Sequence, residues 1–297
     1  MARPWQQRER GRAVSGFSIW MLEYAHCLTQ PMGCIFYGQW NVGTRKFPYS
    51  YVYVEGEGHR ILVDVGHDDD SSNQVLSSRY DVIDWQAPDA VLAKVGVRPE
   101  DVDIVVLTHA HYDHAGAARR FPNATFYLQR AELEGSRWAL ANAHLFKSII
   151  GAIDPGDIEM LTELEQAGRL VLLDGDLPDL VPGLTVRAAR DTHTPGSQYV
   201  VITTGGQNWV VTGDNMYSYE NAEGLDHDGT YVSIGFGGGS SWNNLTTIDE
   251  MLHAAGSADR LVIAHEGETF VRHPSKEFPD RLSVAELVLA DGVTSRI

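Results

Sequence analysis

Three histidines and one aspartate fall within six positions, from His109 to His114, directly after the apolar run "DIVVL". Such polar side chains at the end of a buried strand cost free energy unless a partner satisfies them. On extended backbone, His109 and His111 point the same way and can contact one ion. The chain then turns toward a helix, which redirects Asp113 and His114 to a second ion about 3.5–4 Å from the first, the spacing of two-metal hydrolysis.

Four neighbouring side chains cannot complete two metal sites, so this interpretation requires ligands at other strand ends. His193 lies in the turn "DTHTPGSQ", Asp214 follows the strand-like "VVTG", and His265 ends "RLVIAH". Seven groups of this kind favour a metal site over a coincidence of core and surface residues. We expect the histidines outside this pattern to be ordinary core or surface residues: His26, His59, His144, His227, His253 and His273.

The bulk properties of the 297-residue chain favour a soluble globular protein, with 43% hydrophobic and 21% charged residues. The formal net charge of −17 opposes binding to nucleic acid, whose phosphates attract Lys and Arg. Cys27 and Cys34 are too few for a disulfide framework and are interpreted as reduced thiols. No segment reaches the roughly 20 apolar residues of a membrane helix. The default expectation is a cytoplasmic protein without a membrane partner.

Hydrophobic periodicity predicts alternating strands and helices after a loose polar arm at residues 1–16. "PYSYVYVEGEGHRILVDVG" and "QYVVITTGGQNWVVTGD" each predict a hairpin, and "VDIVVLTH" predicts a buried strand. "PDAVLAKVG" and "TTIDEMLHAA" predict helices, and "AGAARRFP" predicts another that starts just beyond the histidine cluster and stops at Pro122. "RLSVAELVLADG" predicts a last helix with a capping box formed by Ser283 and Glu286.

A longer helix is predicted for "RAELEGSRWALANAHLFKSIIG". Its expected inner face consists of Leu133, Trp138, Leu140, Ala141, Leu145 and Ile149. The two hairpins resemble each other, because the second strand of each ends in an acidic residue beside a glycine. We therefore predict an α/β (α+β) fold in which residues 17–297 form a single domain, a four-layer αββα sandwich. Two independent domains are the alternative.

The motifs together resemble the metallo-β-lactamase superfamily. Residues 109–114 match its H-x-H-x-D-H signature, and "THTPGSQ", "TGDNMY" and "AHEGE" stand in its later ligand positions, in its order. The resemblance extends from about Pro48 to about Asp280. One departure is Ser197, where many members have another histidine that is not a usual ligand.

This resemblance implies a complete set of metal ligands. It assigns two zinc ions per chain, although Mn, Fe or Co could occupy the same sites. Asp64, in "LVDVG", falls where the family keeps an acidic residue that orients a ligating histidine. The implied ligands are His109, His111 and His193 for one ion, Asp113, His114 and His265 for the other, and Asp214 as the bridge between them.

Within the superfamily, the chain resembles the N-acyl homoserine lactonase branch, whose members carry out quorum quenching. Tyr217 lies three positions beyond Asp214, where that branch has a tyrosine directed at the substrate carbonyl. The Phe278–Pro279 pair after the last histidine also matches. The alternative role for Tyr217 is a packing aromatic at a strand end.

The implied reaction is the opening of a lactone or similar cyclic ester by a metal-bound hydroxide. Tyr217 and one zinc would stabilise the oxyanion, and Asp113 could pass a proton to the departing alkoxide. The partner is thus a small-molecule ester, and a homodimer is left open. Candidate substrate-binding residues, each with an ordinary packing or turn-capping role as its alternative, are His67, Phe36, Trp40, Phe236 and Trp242.

Three rival functions share these ligands. A di-metal hydrolase could instead act on an arylester, cyclic amide, phosphotriester or thioester. A mononuclear iron dioxygenase acting on persulfides belongs to another branch, and a metal-binding protein without catalysis is the third. The Gly-rich "GFGGGS" at 235–240 lacks the spacing and following helix of a dinucleotide fingerprint, so a nucleotide ligand is not expected.

Overall fold

The computed structural model describes residues 16–297, so the arm predicted for residues 1–16 lies outside the described residues except for Gly16. The strands are β1 (Phe17–Pro31), β2 (Thr44–Gly56), β3 (His59–Val63), β4 (Ile104–Val106), β5 (Thr125–Gln129), β6 (Leu170–Leu173), β7 (Leu177–Val181), β8 (Leu184–Ala188), β9 (Gln198–Thr204), β10 (Gln207–Val211), β11 (Leu261–Val262), β12 (Ser275–Glu277) and β13 (Ser283–Val288). The helices are α1 (Met32–Ile35), α2 (Ser71–Arg79), α3 (Pro88–Ala93), α4 (Tyr112–Ala115), α5 (Arg130–Ala141), α6 (Pro155–Gln166), α7 (Glu220–Glu223), α8 (Ser241–Ala255) and α9 (Thr269–Arg272).

The strands form two sheets. One has the order β12-β13-β1-β2-β3-β4-β5-β6, and the other has the order β11-β10-β9-β8-β7. Strands β3 to β6 are parallel, as are β10 and β11. Both predicted hairpins are confirmed as β2–β3 and β9–β10.

Strand β1 shows why the molecule is layered, since both of its faces are buried. Ile19 and Met21 pack in the core between the sheets, together with Val200 of β9. Trp20 and Leu22 point the opposite way, into a second core that includes residues of α3, α5 and α6. Helix α8 covers the outer face of the smaller sheet. The order of layers is therefore helix, sheet, sheet, helix, which confirms the predicted αββα sandwich.

The segment predicted as the last helix is instead strand β13, so the helix prediction was wrong. Val284 and Ala285 lie in different cores, one on each face of the sheet, as the strand period requires. Glu286 does not complete a capping box with Ser283; its carboxylate accepts hydrogen bonds from Trp20 Nε1 and from the backbone N–H of Arg296. Pairing with β1 outweighed the local capping signal.

Two other helix predictions need correction. The helix expected just beyond the histidine cluster begins inside it, at Tyr112, and is followed by a separate 3-10 turn at Ala118–Arg120. Helix α5 ends at Ala141, and of its expected inner face only Leu133 is fully buried. Trp138 is 53% exposed and Leu145 is 71% exposed.

Helix α5 turns a different face inward from the predicted one because of Glu132, which is 1% exposed. Its carboxylate accepts hydrogen bonds from the backbone N–H groups of Ala110 and Gly196 and from the Thr194 hydroxyl. Satisfying a buried carboxylate outweighs covering Trp138, because an unpaired buried charge is far more costly than an exposed indole.

In the described part of the chain, no helix combines the length and apolar character needed to cross a membrane.

The orientation of α5 predicts that two apolar truncations in the same helix lower the free energy of unfolding by different amounts. Leu133→Ala should lower the free energy of unfolding by about 2–5 kcal/mol, because Leu133 is fully buried. Trp138→Ala, the matched control, should cost less than about 1 kcal/mol, because the indole is half exposed. Urea titrations followed by circular dichroism measure both. Equal losses would contradict the observed orientation.

Candidate metal centre

The predicted ligands meet because several strands end at one edge of the sandwich. His109 follows β4 of the larger sheet, whereas His193, Asp214 and His265 follow β8, β10 and β11 of the smaller one. Strands β8, β10 and β11 run the same way, as the two antiparallel pairs β8–β9 and β9–β10 and the parallel pair β10–β11 require. Side chains far apart in sequence are therefore collected at one site.

Four buried residues form the first ligand group: His109, His111, His193 and Asp214. Their ligand atoms lie within 4.8 Å of one another. His193 Nε2 is 3.0 Å from His111 Nδ1 and 3.4 Å from Asp214 Oδ2. His109 Nε2 lies 3.8 Å from the same carboxylate oxygen.

Asp113, His114 and His265 form the second group. His114 Nε2 and His265 Nε2 are 3.3 Å apart, and each lies 3.2 Å from Asp214 Oδ1. Asp113 Oδ2 is 3.6 Å from His114 Nε2 and 3.7 Å from His265 Nε2. Asp214 thus presents Oδ2 to the first group and Oδ1 to the second, which is the position of a bridge.

The hydrogen bonds behind the rings indicate which ring nitrogens carry protons. His193 Nδ1 lies 3.1 Å from the Phe236 carbonyl and His265 Nδ1 lies 2.8 Å from the Pro48 carbonyl. A carbonyl can only accept, so each Nδ1 is the donor and the Nε2 of a neutral ring keeps its lone pair. These lone pairs point at other nitrogens and at carboxylate oxygens, an arrangement that a cation between them makes favourable.

Two unsatisfied buried atoms support the same fit. Among the described residues, His109 Nε2 and Asp214 Oδ1 are buried without a hydrogen-bond partner. Imidazole nitrogens and carboxylate oxygens are ligands that zinc and similar divalent ions accept. The two groups therefore fit two such ions.

Burial prepares three of the histidines as ligands. It lowers the pKa of His109 and His111 well below the ordinary value and that of His193 to about 4. These rings are neutral at pH 7, and neutral imidazole is the form that binds metal. Burial alone would raise the pKa of Asp214, but His114 and His265 outweigh it and hold that pKa well below its usual range.

Asp64 lies where the sequence places it, behind the ligand His114. Its Oδ2 is 2.8 Å from His114 Nδ1, and its Oδ1 accepts the backbone N–H of Thr108 at 2.7 Å. The residue has φ +63°, a left-handed conformation that an aspartate tolerates better than a bulky residue does. A strained backbone at this point aims the carboxylate at the histidine.

Sequence reasoning missed Glu132, which joins the two ligand loops. It bonds Ala110, between His109 and His111, and also Thr194 and Gly196 in the loop that follows His193. The sequence feature that marks this contact is Gly196. A larger residue would not fit there, since its Cβ would lie 2.2 Å from the Glu132 backbone nitrogen. In the same loop, Ser197 accepts the backbone N–H of Thr194 at 3.0 Å, so it supports the turn.

A small cavity of about 40 Å³ opens over both ligand groups. Its apolar and aromatic lining includes Phe47, Phe236 and Ala152, and its polar lining includes Tyr112 and Tyr217. Tyr217 is 5% exposed, and its hydroxyl donates to the Phe236 carbonyl at 3.1 Å.

Of the five candidate substrate-binding residues, the structure places only Phe236 in this lining. Phe36 is fully buried in the core, while Trp40 and Trp242 are 61% and 77% exposed on the surface. His67 is buried behind the cavity, where its Nδ1 bonds the Asp68 carbonyl and its ring stacks on Trp85.

The remaining histidines lie outside the centre. His26 is buried and contacts Glu23 and Asp84, 3.1 Å away in each case. His59 pairs with Asp103, and His253 bonds the Asp249 carbonyl on the surface of α8. They contribute no ligand to either group.

Comparisons with known proteins agree with this geometry. A model of the metallo-beta-lactamase superfamily matches residues 43–265. An N-acyl homoserine lactonase of Bacillus cereus is 29% identical over 134 residues, which are 45% of this chain and 46% of that protein. The match thus spans about half the length of this relative.

Two solved structures share the fold. A mutant of AiiA from B. thuringiensis with N-decanoyl-L-homoserine at its active site has a TM-score of 0.64 and 19% identity, covering 88% of this chain and 97% of that one. AidC, a dizinc quorum-quenching lactonase in complex with the product N-hexanoyl-L-homoserine, has a TM-score of 0.62 and 16% identity, covering 86% and 89%.

Removing metal should destabilise the protein, because the converging lone pairs and carboxylates are left facing one another. We expect a strong chelator to lower the melting temperature and to release two equivalents of metal per chain, measured by differential scanning fluorimetry and elemental analysis. Asp214→Ala should reduce the bound metal to one equivalent or less, since its carboxylate faces both groups.

Asp291→Ala provides the matched control, because Asp291 is an exposed aspartate in a turn at the far end of the sequence. It should keep both metal equivalents. Two metals in Asp214→Ala, or unchanged melting after chelation, would contradict the bridging role.

Proposed function

The chain belongs to the metallo-beta-lactamase superfamily, and from that premise we propose that it is a di-metal hydrolase that opens a lactone or similar cyclic ester. The observation that carries the proposal is the placement of Asp214 between two ligand groups at the base of one cavity. The printed activities of the relatives, N-acyl homoserine lactonases, support the lactone as the first substrate to test.

The two groups would hold two zinc ions, with Mn, Fe or Co as alternatives for the same nitrogen and oxygen ligands. Ions bound there would supply an activated water and would neutralise charge on the carbonyl oxygen under attack. Asp64 and Glu132 would keep the ligands in place, the first through His114 and the second through the two ligand loops.

Tyr217 and Asp113 would act on the substrate itself. The Tyr217 hydroxyl lies in the cavity wall, 3.4 Å from His193 Nδ1, and rotation about its C–O bond would turn its proton from the Phe236 carbonyl to the substrate oxygen. Asp113 Oδ2 faces the cavity beside the second group and would carry a proton to the departing alkoxide.

The lining favours an uncharged substrate. None of the described residues that line the cavity is Lys or Arg, and the carboxylates of Asp113 and Asp214 would be neutralised by the ions they hold. A substrate carboxylate away from the ions would therefore have no cationic side chain to pair with, which disfavours a β-lactam or another ester with a remote anionic group. Apolar contacts with Phe47 and Phe236 suit an acyl or alkyl substituent.

Two rival functions remain. Other neutral esters, thioesters, cyclic amides and phosphotriesters fit the same chemistry. A mononuclear iron dioxygenase is less well supported, because the second ligand group is as complete as a catalytic site requires.

A substrate panel tests the proposal. We expect hydrolysis of an N-acyl homoserine lactone and of a neutral alkyl γ-lactone, with kcat/KM at least about tenfold above that for a γ-lactone that carries a free carboxylate, since the loss of one charge-assisted hydrogen bond costs about 1.5–3 kcal/mol. Metal content is measured on the same preparation. Full metal loading without turnover of either neutral lactone, or preference for the carboxylate substrate, would refute the proposal.

The phenol of Tyr217 should act mainly in the transition state, because charge develops on the carbonyl oxygen only there. Tyr217→Phe should lower kcat, by up to about a hundredfold if the phenol behaves like other oxyanion donors, with metal content unchanged. Tyr231→Phe serves as the control, since that phenol bonds Asp249 on α8. Wild-type kcat in Tyr217→Phe on every carbonyl substrate would reduce Tyr217 to a packing residue.

A further inference from the structure

The two loops that carry Tyr217 and His265 are joined by a buried carboxylate, that of Glu266. Glu266 follows His265 directly, is 3% exposed and belongs to neither ligand group. Its Oε2 accepts hydrogen bonds from the Ser218 hydroxyl at 2.5 Å and from the backbone N–H of Tyr219 at 3.1 Å. Both of these donors belong to the two residues that follow Tyr217.

A guanidinium group completes this contact. Arg45, near the start of β2, donates from Nη1 to the Ser218 hydroxyl at 3.0 Å and from Nη2 to Glu220 Oε1 at 2.7 Å. The Ser218 hydroxyl also contacts the second carboxylate oxygen of Glu220. Ionised carboxylates are costly to bury unless a cation and hydrogen-bond donors face them. Because Arg45 supplies that charge from β2, the strand, the Tyr217 loop and the His265 loop form one unit.

The same strand packs on both functional side chains. Phe47 of β2 stacks on the His265 ring, with centroids 4.2 Å apart, and contacts the Tyr217 ring edge-on at 5.5 Å. This packing holds the Tyr217 ring from one side. The backbone N–H of Tyr217 donates to Asn221 within its own loop. It is therefore Glu266 that ties this backbone to the loop of the last metal ligand.

We propose that Glu266 is a positioning residue that holds the Tyr217 phenol at the substrate carbonyl, through its hydrogen bonds to the two residues after the tyrosine. This inference rests on the proposed function and assigns a buried carboxylate that the reaction itself does not use. Tyr217 lies between the 3-10 turn Gly213–Asn215 and the short α7, outside any strand, so such contacts have to set its position. Stabilisation of an oxyanion requires a donor that is already in place.

A double-mutant cycle tests whether Glu266 acts through Tyr217. Glu266→Gln replaces one acceptor oxygen by an amide NH2, and it should lower kcat for a neutral lactone by about 5–20-fold, because even a small displacement of a catalytic group is costly. KM should change by less than about twofold, and two equivalents of metal should remain. In the Tyr217→Phe background the same change should lower kcat by less than about twofold, since no phenol is left to position.

Glu286→Gln is the matched control. Glu286 is also a buried carboxylate, 6% exposed, and it accepts hydrogen bonds from Trp20 Nε1 and from the backbone N–H of Arg296. It lies in β13, and Trp20 lies in β1. Both glutamine variants should melt at a lower temperature than wild type, because each change leaves a buried donor without its acceptor. Only Glu266→Gln should lower kcat.

Ser218→Ala decides the question if Glu266→Gln does not fold. It removes one hydroxyl and leaves the Glu266 carboxylate its bond to the Tyr219 N–H. We expect kcat to fall by about 2–5-fold, since one hydrogen bond is lost. This fall should also disappear in the Tyr217→Phe background.

The outcomes are distinguishable. If wild type hydrolyses neither neutral lactone, the proposed function fails and the role of Glu266 fails with it. If wild type is active, that role alone is refuted by wild-type kcat in Glu266→Gln or by falls in kcat that multiply with that of Tyr217→Phe. Loss of metal in Glu266→Gln would show that Glu266 acts through His265 instead. If Tyr217→Phe keeps the wild-type kcat, there is no phenol to position and the inference is also overturned.

Discussion

The convergence of nitrogen lone pairs and carboxylate oxygens at the edge of the two sheets is the constraint on which the site depends. His114 and His265 bring Nε2 atoms to 3.3 Å, and both face Asp214 Oδ1. Such contacts repel unless positive charge lies between them, so the protein has to hold the loops together by other means. Asp64 and Glu132 do so, each through a buried carboxylate that accepts several hydrogen bonds.

These two carboxylates link metal binding to the fold as a whole. Asp64 follows β3 and bonds Thr108 after β4, so it couples neighbouring strands of the larger sheet. Glu132, on α5, bonds both the loop after β4 and the loop after β8, so it couples the larger sheet to the smaller one. A change in α5 can therefore reach the ligands without touching a metal. This explains why the helix buries a charged side chain and leaves Trp138 half exposed.

The sequence was sufficient to predict which side chains meet at the edge of the sheets, and to predict the layers, but not the cavity wall. His109 to His114 form a local pattern, and the later ligands follow recognisable strand ends, so short-range signals were enough. Strand β13 was mistaken for a helix because Ser283 and Glu286 have capping-box spacing, whereas the strand forms through pairing with β1, more than 250 residues away. Phe36 and Trp242 were plausible wall residues by type. Whether an aromatic side chain lines a cavity, however, depends on tertiary packing that no local pattern encodes.

Several features that weaken the fold are concentrated where chemistry is expected. Asp64 has a left-handed backbone, and His109 Nε2 and Asp214 Oδ1 are buried without hydrogen-bond partners among the described residues. In a protein whose net stability is typically about 5–15 kcal/mol, a few such groups consume a substantial fraction of it. Cations between the ligand groups would relieve the two unpaired atoms but would leave the Asp64 backbone unchanged.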